Sequence, residues 1–156
     1  MAKKFQSKTL PRIILFNENA EVINEKALNS ILMDRDGFPW YPKTLKEIIG
    51  DNFIASDKET YDASILEGKI TGLYFSANWC PPCKQFTPKL KELYNKLKSD
   101  GKNLEIIYVS NDENQEKFDA YFEDMPWLAI PYSDKKRLAV LQSELEIRGL
   151  PTLILI

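Results

Sequence analysis

Apolar positions change their spacing several times along this chain, and each change marks an element. Ile13 to Phe16 is a short apolar run, Asn17-Glu18-Asn19-Ala20 reads as a turn, and Glu21-Val22-Ile23-Asn24 follows, which predicts a hairpin over 10–24. Between 34 and 50 the breakers Asp36-Gly37, Pro39, Pro42 and Gly50 surround exposed-looking aromatics, so this stretch reads as a turn-rich connector. From Asp51 onward strand and helix patterns alternate. Ile70 to Ser76 predicts a strand. Phe86, Leu90, Leu93, Tyr94 and Leu97 then recur at three and four, which predicts a helix ended by Asp100-Gly101 and kinked at Pro88. Leu104 to Ser110 is nearly continuous and apolar, as in a strand buried on both faces. Two further helices are expected around 113–123, with Phe118, Tyr121 and Phe122 inward, and around 134–145, with Leu138, Leu141 and Leu145 on one face. Pro151 to Ile156 predicts a last strand. This order implies an α/β fold: a central, partly parallel sheet with helices on both faces.

Composition narrows the chemistry. The 156 residues are 44% hydrophobic and 28% charged, with a net charge of −2, which is ordinary for a globular chain and lacks the basic surplus of a nucleic-acid binder. Histidine is absent. That excludes Cys-His and Ser-His-Asp catalysis, histidine-held haem and Cys₂His₂ zinc. The Ile13–Phe16 run is too short for a signal peptide or a membrane span, so no membrane partner and a reducing cytoplasmic or nuclear address are expected.

The two cysteines are Cys80 and Cys83, in Trp79-Cys80-Pro81-Pro82-Cys83. So close a pair closes no long loop, and it supplies half the ligands of a structural zinc site, so no metal is expected. Zinc shared between chains and a plain surface pair are the alternatives. At a strand-to-helix junction the spacing has a chemical reason. The first thiol meets the unpaired N–H groups and dipole of the helix N-terminus, which favour its thiolate. Cys80 is therefore the candidate nucleophile, and Cys83, one turn later, the candidate resolving thiol. Pro81 and Pro82 suit the first helical positions.

These residues, with Gly72-Leu73-Tyr74-Phe75-Ser76-Ala77 before them, resemble the active-site strand and helix of the nucleoredoxins and tryparedoxins, in the thioredoxin-like superfamily. Ile147-Arg148-Gly149-Leu150-Pro151-Thr152 resembles the segment that carries that superfamily's cis-proline, and Met125 to Tyr132 is similar to a stretch of the nucleoredoxins and tryparedoxins. The resemblance spans 70–156. It implies a thioredoxin-like three-layer fold with a central mixed sheet, and substrate positioning by Trp79, Pro81, Pro82 and the Leu150-Pro151 backbone. Thioredoxin's buried aspartate is replaced here by Tyr74. The acceptor for the Cys83 proton is then expected at the end of the Leu104–Ser110 strand, where Asp112 and Glu113 are the candidates. Asn111 stands where tryparedoxin has tryptophan, and Asn78 where nucleoredoxin often has histidine.

Leu10-Pro11-Arg12-Ile13-Ile14-Leu15-Phe16 recurs in altered form as Leu150-Pro151-Thr152-Leu153-Ile154-Leu155-Ile156. This suggests a frame across a tandem array. Residues 1–33 form the tail-like hairpin of a preceding thioredoxin-like unit, 34–50 a connector, and 51–156 the unit with the Cys-Pro-Pro-Cys site. That unit is expected to be truncated or permuted at its C-terminal hairpin, with residues 10–24 filling the open sheet edge within the chain or by exchange in a dimer.

The expected function is a thiol–disulfide oxidoreductase that reduces protein disulfides. It would bind no cofactor and would be recycled by an external donor, either a thioredoxin reductase or a low-molecular-weight thiol. The alternative is a redox-sensitive module for protein partners, with little turnover.

Overall fold

The Ile70–Ser76 and Leu104–Ser110 runs form strands with those bounds in the computed structural model, which describes residues 11–156. Leu10, the first position of the predicted hairpin and of the repeat, lies outside the described residues, as does the rest of 1–10. The chain divides into two compact units, one ending at Ile48 and one running from Ile49 to Ile156.

In the first unit, β1 (Leu15–Phe16) pairs antiparallel with β2 (Val22–Asn24). The Asn17 side chain makes the turn by accepting the N–H groups of Asn19 at 3.0 Å and Glu21 at 2.9 Å. Helix α1 (Ala27–Met33) follows. Asn24 is buried, and its amide donates to Ser30 Oγ at 2.9 Å and to the Trp40 carbonyl at 2.7 Å, so one side chain ties hairpin, helix and loop. The hairpin forms a two-stranded sheet of its own. Helix α2 (Leu45–Ile49) lies inside the stretch expected to be connector. It starts on a reciprocal cap: the Glu47 carboxylate accepts the Thr44 N–H at 2.7 Å, and Thr44 Oγ1 accepts the Glu47 N–H at 3.3 Å.

In the second unit, β3 (Phe53–Ile54) and β4 (Thr60–Tyr61) form a short hairpin, followed by a 3₁₀ turn at Ala63–Leu66. Strand β5 (Ile70–Ser76) leads into helix α3 (Pro81–Ser99), then β6 (Leu104–Ser110), α4 (Gln115–Phe122), β7 (Leu128–Ala129), α5 (Lys135–Glu144) and β8 (Thr152–Leu155). The strand order is β4-β3-β7-β6-β5-β8. Strands β5, β6 and β7 run parallel, and β3, β4 and β8 are antiparallel to their neighbours, which makes the sheet mixed. Gly72 has functional shape rather than freedom to offer: a Cβ there would sit 3.2 Å from Leu153 and 3.3 Å from Leu155, so its absence lets β8 pack closely on β5.

One face of the sheet carries an aromatic core. Tyr74 of β5 and Tyr108 of β6 are register partners, and Phe118 and Phe122 of α4 stack on Tyr108. Trp127, 2% exposed, meets Tyr74 and Tyr94 edge-on, and its indole N–H has no hydrogen bond among the described residues. Leu73, Phe75, Ile107 and Val109 alternate to the other face and are buried as well. Leu93, read as inward from its spacing, is 50% exposed. Leu90 and Tyr94 fill the buried stripe, and Leu93 falls at its edge.

Burial pushes the Tyr74 phenol up to about 12, and it raises Tyr94 and Tyr108 too, with the carboxylates of Glu105 and Asp112 adding to the respective shifts. An unfolded tyrosine ionises near about 10. Above that pH the unfolded chain binds fewer protons than the folded one, so the stability these groups contribute is complete below about pH 10 and falls as pH rises through the folded values. In an alkaline titration, phenolate absorbance from the buried tyrosines should appear together with the loss of circular dichroism. Their ionisation near pH 10 with the fold intact would contradict this.

Candidate active site

The site begins where β5 ends. Ser76-Ala77-Asn78-Trp79 carry the chain from the centre of the sheet to Cys80, which caps α3. Cys80 and Cys83 are joined in a disulfide. Cys80 Sγ accepts the Cys83 N–H at 3.3 Å, so sulfur takes the place of the usual capping oxygen. Pro81 and Pro82 occupy the first helical turn, where missing N–H groups leave no partner unsatisfied. Cys83 is fully buried and Cys80 is 4% exposed, and together with Ala77 they form a small apolar cluster against which Leu150 packs. The Leu150-Pro151 bond is cis. The pairing of β8 with β5, which sets Thr152 opposite Phe75, brings this loop beside the cysteines.

A cleft of about 390 Å³ opens at Cys80. Its lining includes Trp79, Pro81, Pro82, Asn111, Gln142 and Leu150. Trp79 is 55% exposed, yet its indole N–H donates to the Asn111 carbonyl at 2.8 Å, which fixes the ring at the rim. Asn111 donates its own N–H to the Ser76 carbonyl at 2.9 Å and accepts the Gln142 amide on Oδ1. Sequence reasoning singled out Asn111 as a departure from tryparedoxin without giving it a role, and it missed Gln142 altogether. A polar residue on a helix carries no signal of the loop it will meet.

Behind the disulfide lies a directed set of hydroxyls. Thr87 Oγ1 donates to the Cys83 carbonyl at 2.9 Å. Its proton is thereby committed, so the Tyr74 hydroxyl at 2.8 Å and the Tyr121 hydroxyl at 2.6 Å both donate to Thr87. Ser76 Oγ in turn donates to Tyr121 at 3.2 Å. Tyr74, where thioredoxin has its aspartate, thus belongs to the support of the helix turn that bears Cys83.

The structure places the two proton-acceptor candidates differently. Glu113 is exposed. Asp112 is buried, and its carboxylate accepts from the Asn78 N–H at 2.6 Å, from Ser110 Oγ at 2.8 Å and from the Tyr108 hydroxyl. The apolar groups clustered with Cys83 are Cys80, Ala77 and Leu150. Asp112 therefore ties the end of β6 to the loop two residues before Cys80. Asp112→Asn should lower stability by about 1–3 kcal/mol in denaturant unfolding and weaken the hydrogen-exchange protection of the Asn78 amide. Unchanged protection there would refute this tie.

Among the described residues, no helix is long and apolar enough to cross a membrane. Residues 68–156 match the thioredoxin-like family profile. Nucleoredoxin of Danio rerio is 39% identical over 98% of this chain and 37% of its own length, and nucleoredoxin of Homo sapiens is 40% identical over 98% and 36%. The chain thus spans little more than a third of these relatives. Among solved structures, a tryparedoxin II complexed with glutathionylspermidine aligns with a TM-score of 0.67 and 36% identity, covering 72% of this chain and 78% of that one. The strand, the disulfide-bearing helix and the proline loop agree with these likenesses: the chain belongs to the thioredoxin-like family and is similar to the nucleoredoxins and tryparedoxins.

Proposed function

We propose that this chain is a thiol–disulfide oxidoreductase that reduces protein disulfides. The observation that carries the reading is the Cys80–Cys83 disulfide at the N-terminus of α3, with Cys80 lining an open cleft and Cys83 sealed behind it. In the reduced protein, Cys80 is the sulfur a substrate can reach, and the helix N-terminus favours its thiolate. Cys80 attacks a substrate disulfide, and one substrate sulfur leaves as a thiolate. Cys83 then attacks Cys80 Sγ, releases the second substrate thiolate and closes the disulfide. Trp79, Pro81, Pro82 and the Leu150-Pro151 backbone shape the approach.

An external dithiol or thiol returns the pair to its reduced form. The glutathionylspermidine complex of the related tryparedoxin supports a low-molecular-weight thiol in that part. A reducing cytoplasmic or nuclear compartment suits such a cycle. The match to about a third of each nucleoredoxin supports the frame read from the internal repeat, in which residues 1–33 are the tail of one unit and 51–156 most of the next.

Turnover of an insulin disulfide with dithiothreitol as donor tests the reading. Cys80→Ser should abolish turnover, and Cys83→Ser should accumulate mixed disulfides with the substrate that are visible on non-reducing gels. A wild-type protein without turnover would favour the redox-sensitive binding module, and a Cys83→Ser protein that traps nothing beside an active wild type would reverse the two roles.

A further inference from the structure

Among the described residues, the cleft beside Cys80 has a single charged residue in its lining, Arg148, and no carboxylate. The Arg148 side chain is 89% exposed and meets the Glu146 carboxylate at 3.7 Å. Glu146 does not line the cleft, and an exposed pair at that separation holds weakly. The guanidinium is thus open to a better-placed carboxylate, which it would grip through two parallel N–H donors. The rest of the polar lining is amide. The Asn111–Gln142 bond uses Asn111 Oδ1 and Gln142 Nε2, which leaves Asn111 Nδ2 as a donor and Gln142 Oε1 as an acceptor. Peptide groups offer the complementary pair. Arg148 stands two residues before Leu150, which packs on the cysteine cluster. Arg148 and Cys80 line the same cleft, so a carboxylate held by Arg148 belongs to a group close in the bound peptide to the sulfur being exchanged.

We propose that this cleft selects peptide disulfides and thiols that carry a carboxylate next to the reacting sulfur and disfavours cationic ones. The proposal rests on the exchange reading above and names its substrate class. The Cys80 thiolate attacks the substrate sulfur, a Cys80–substrate disulfide forms and the other substrate sulfur leaves as a thiolate. Cys83 then displaces the bound half, so two electrons pass from the dithiol to the substrate and the two released thiolates take protons from water. Arg148 acts by holding the carboxylate of the bound half and takes no part in the electron transfer.

The test uses symmetric disulfides of capped Cys-Glu, Cys-Gln and Cys-Lys dipeptides, turned over by the whole chain at low ionic strength. Each kcat/KM is divided by the same variant's value for the Cys-Gln probe. The glutamate-to-lysine ratio is expected near about fivefold for the wild type, near one for Arg148→Gln and inverted for Arg148→Glu. Glu146→Gln should raise it, and salt should shrink it. Equal ratios in wild type and Arg148→Glu overturn the proposal. Oxidised glutathione and a longer peptide with glutamate beside its cystine form two further arms. Dependence on Arg148 in either supports the proposal and identifies a small thiol or a polypeptide as the source, and its absence from both overturns it. If the Cys-Gln probe is never turned over, the exchange reading fails, and S-methylated peptides still decide on the cleft. Arg148 and Leu150 amide shifts that saturate with the glutamate peptide and not with the lysine peptide sustain it, and identical titrations end it.

Discussion

Seven residues of β5 lie in register against seven of β6, and the second unit is organised by that parallel ladder. Both strands are hydrogen-bonded on both edges, β5 to β6 and β8, and β6 to β5 and β7. The ends of two such strands have little freedom, so whatever leaves them is aimed. From β5 the chain turns within four residues into the helix that carries the cysteines. From β6 it delivers Asn111 to the rim and Asp112 beneath the loop. The proline loop enters beside them because β8 pairs with the other edge of β5.

Polar groups buried around the disulfide fit this arrangement because each finds a partner of defined direction. A buried donor or acceptor left unpaired costs on the order of 1–3 kcal/mol. The hydroxyls of Ser76, Tyr121, Tyr74 and Thr87 avoid that cost by passing donors toward the Cys83 carbonyl. The Asp112 carboxylate does the same for three donors. The chain has no histidine, so the surroundings of the disulfide are built of hydroxyls, amides and one buried carboxylate.

The elements that could be read in advance are those whose cause is local. The β5 and β6 runs are mostly apolar because both faces are covered, and the cysteine spacing has a meaning within one helical turn. Strands of two residues, such as β3, β4 and β7, are too short to show any period. Only their neighbours in the sheet make them strands. Helix α2 did carry a local signal, the Thr44-Leu45-Lys46-Glu47 capping box, which the surrounding prolines and glycines masked. Residues joined only by the fold, such as Asn111 with Gln142 or Thr87 with Tyr121, leave no trace in spacing. The same holds for Asp112, whose tie to the Asn78 N–H joins positions 34 residues apart.

Strand β6 bears a second buried carboxylate at its opposite end. Glu105 accepts the Tyr94 hydroxyl at 2.8 Å and pairs with Lys98 at 3.1 Å and Lys69 at 3.6 Å. At roughly 3.3 Å per residue it lies on the order of 20 Å from Asp112, beyond the range within which substitutions influence one another. The unit therefore has two poles, one at Glu105 and one at the disulfide. Substitutions at the Glu105 pole therefore act on the scaffold and are expected to add to those made around the disulfide rather than alter their effect.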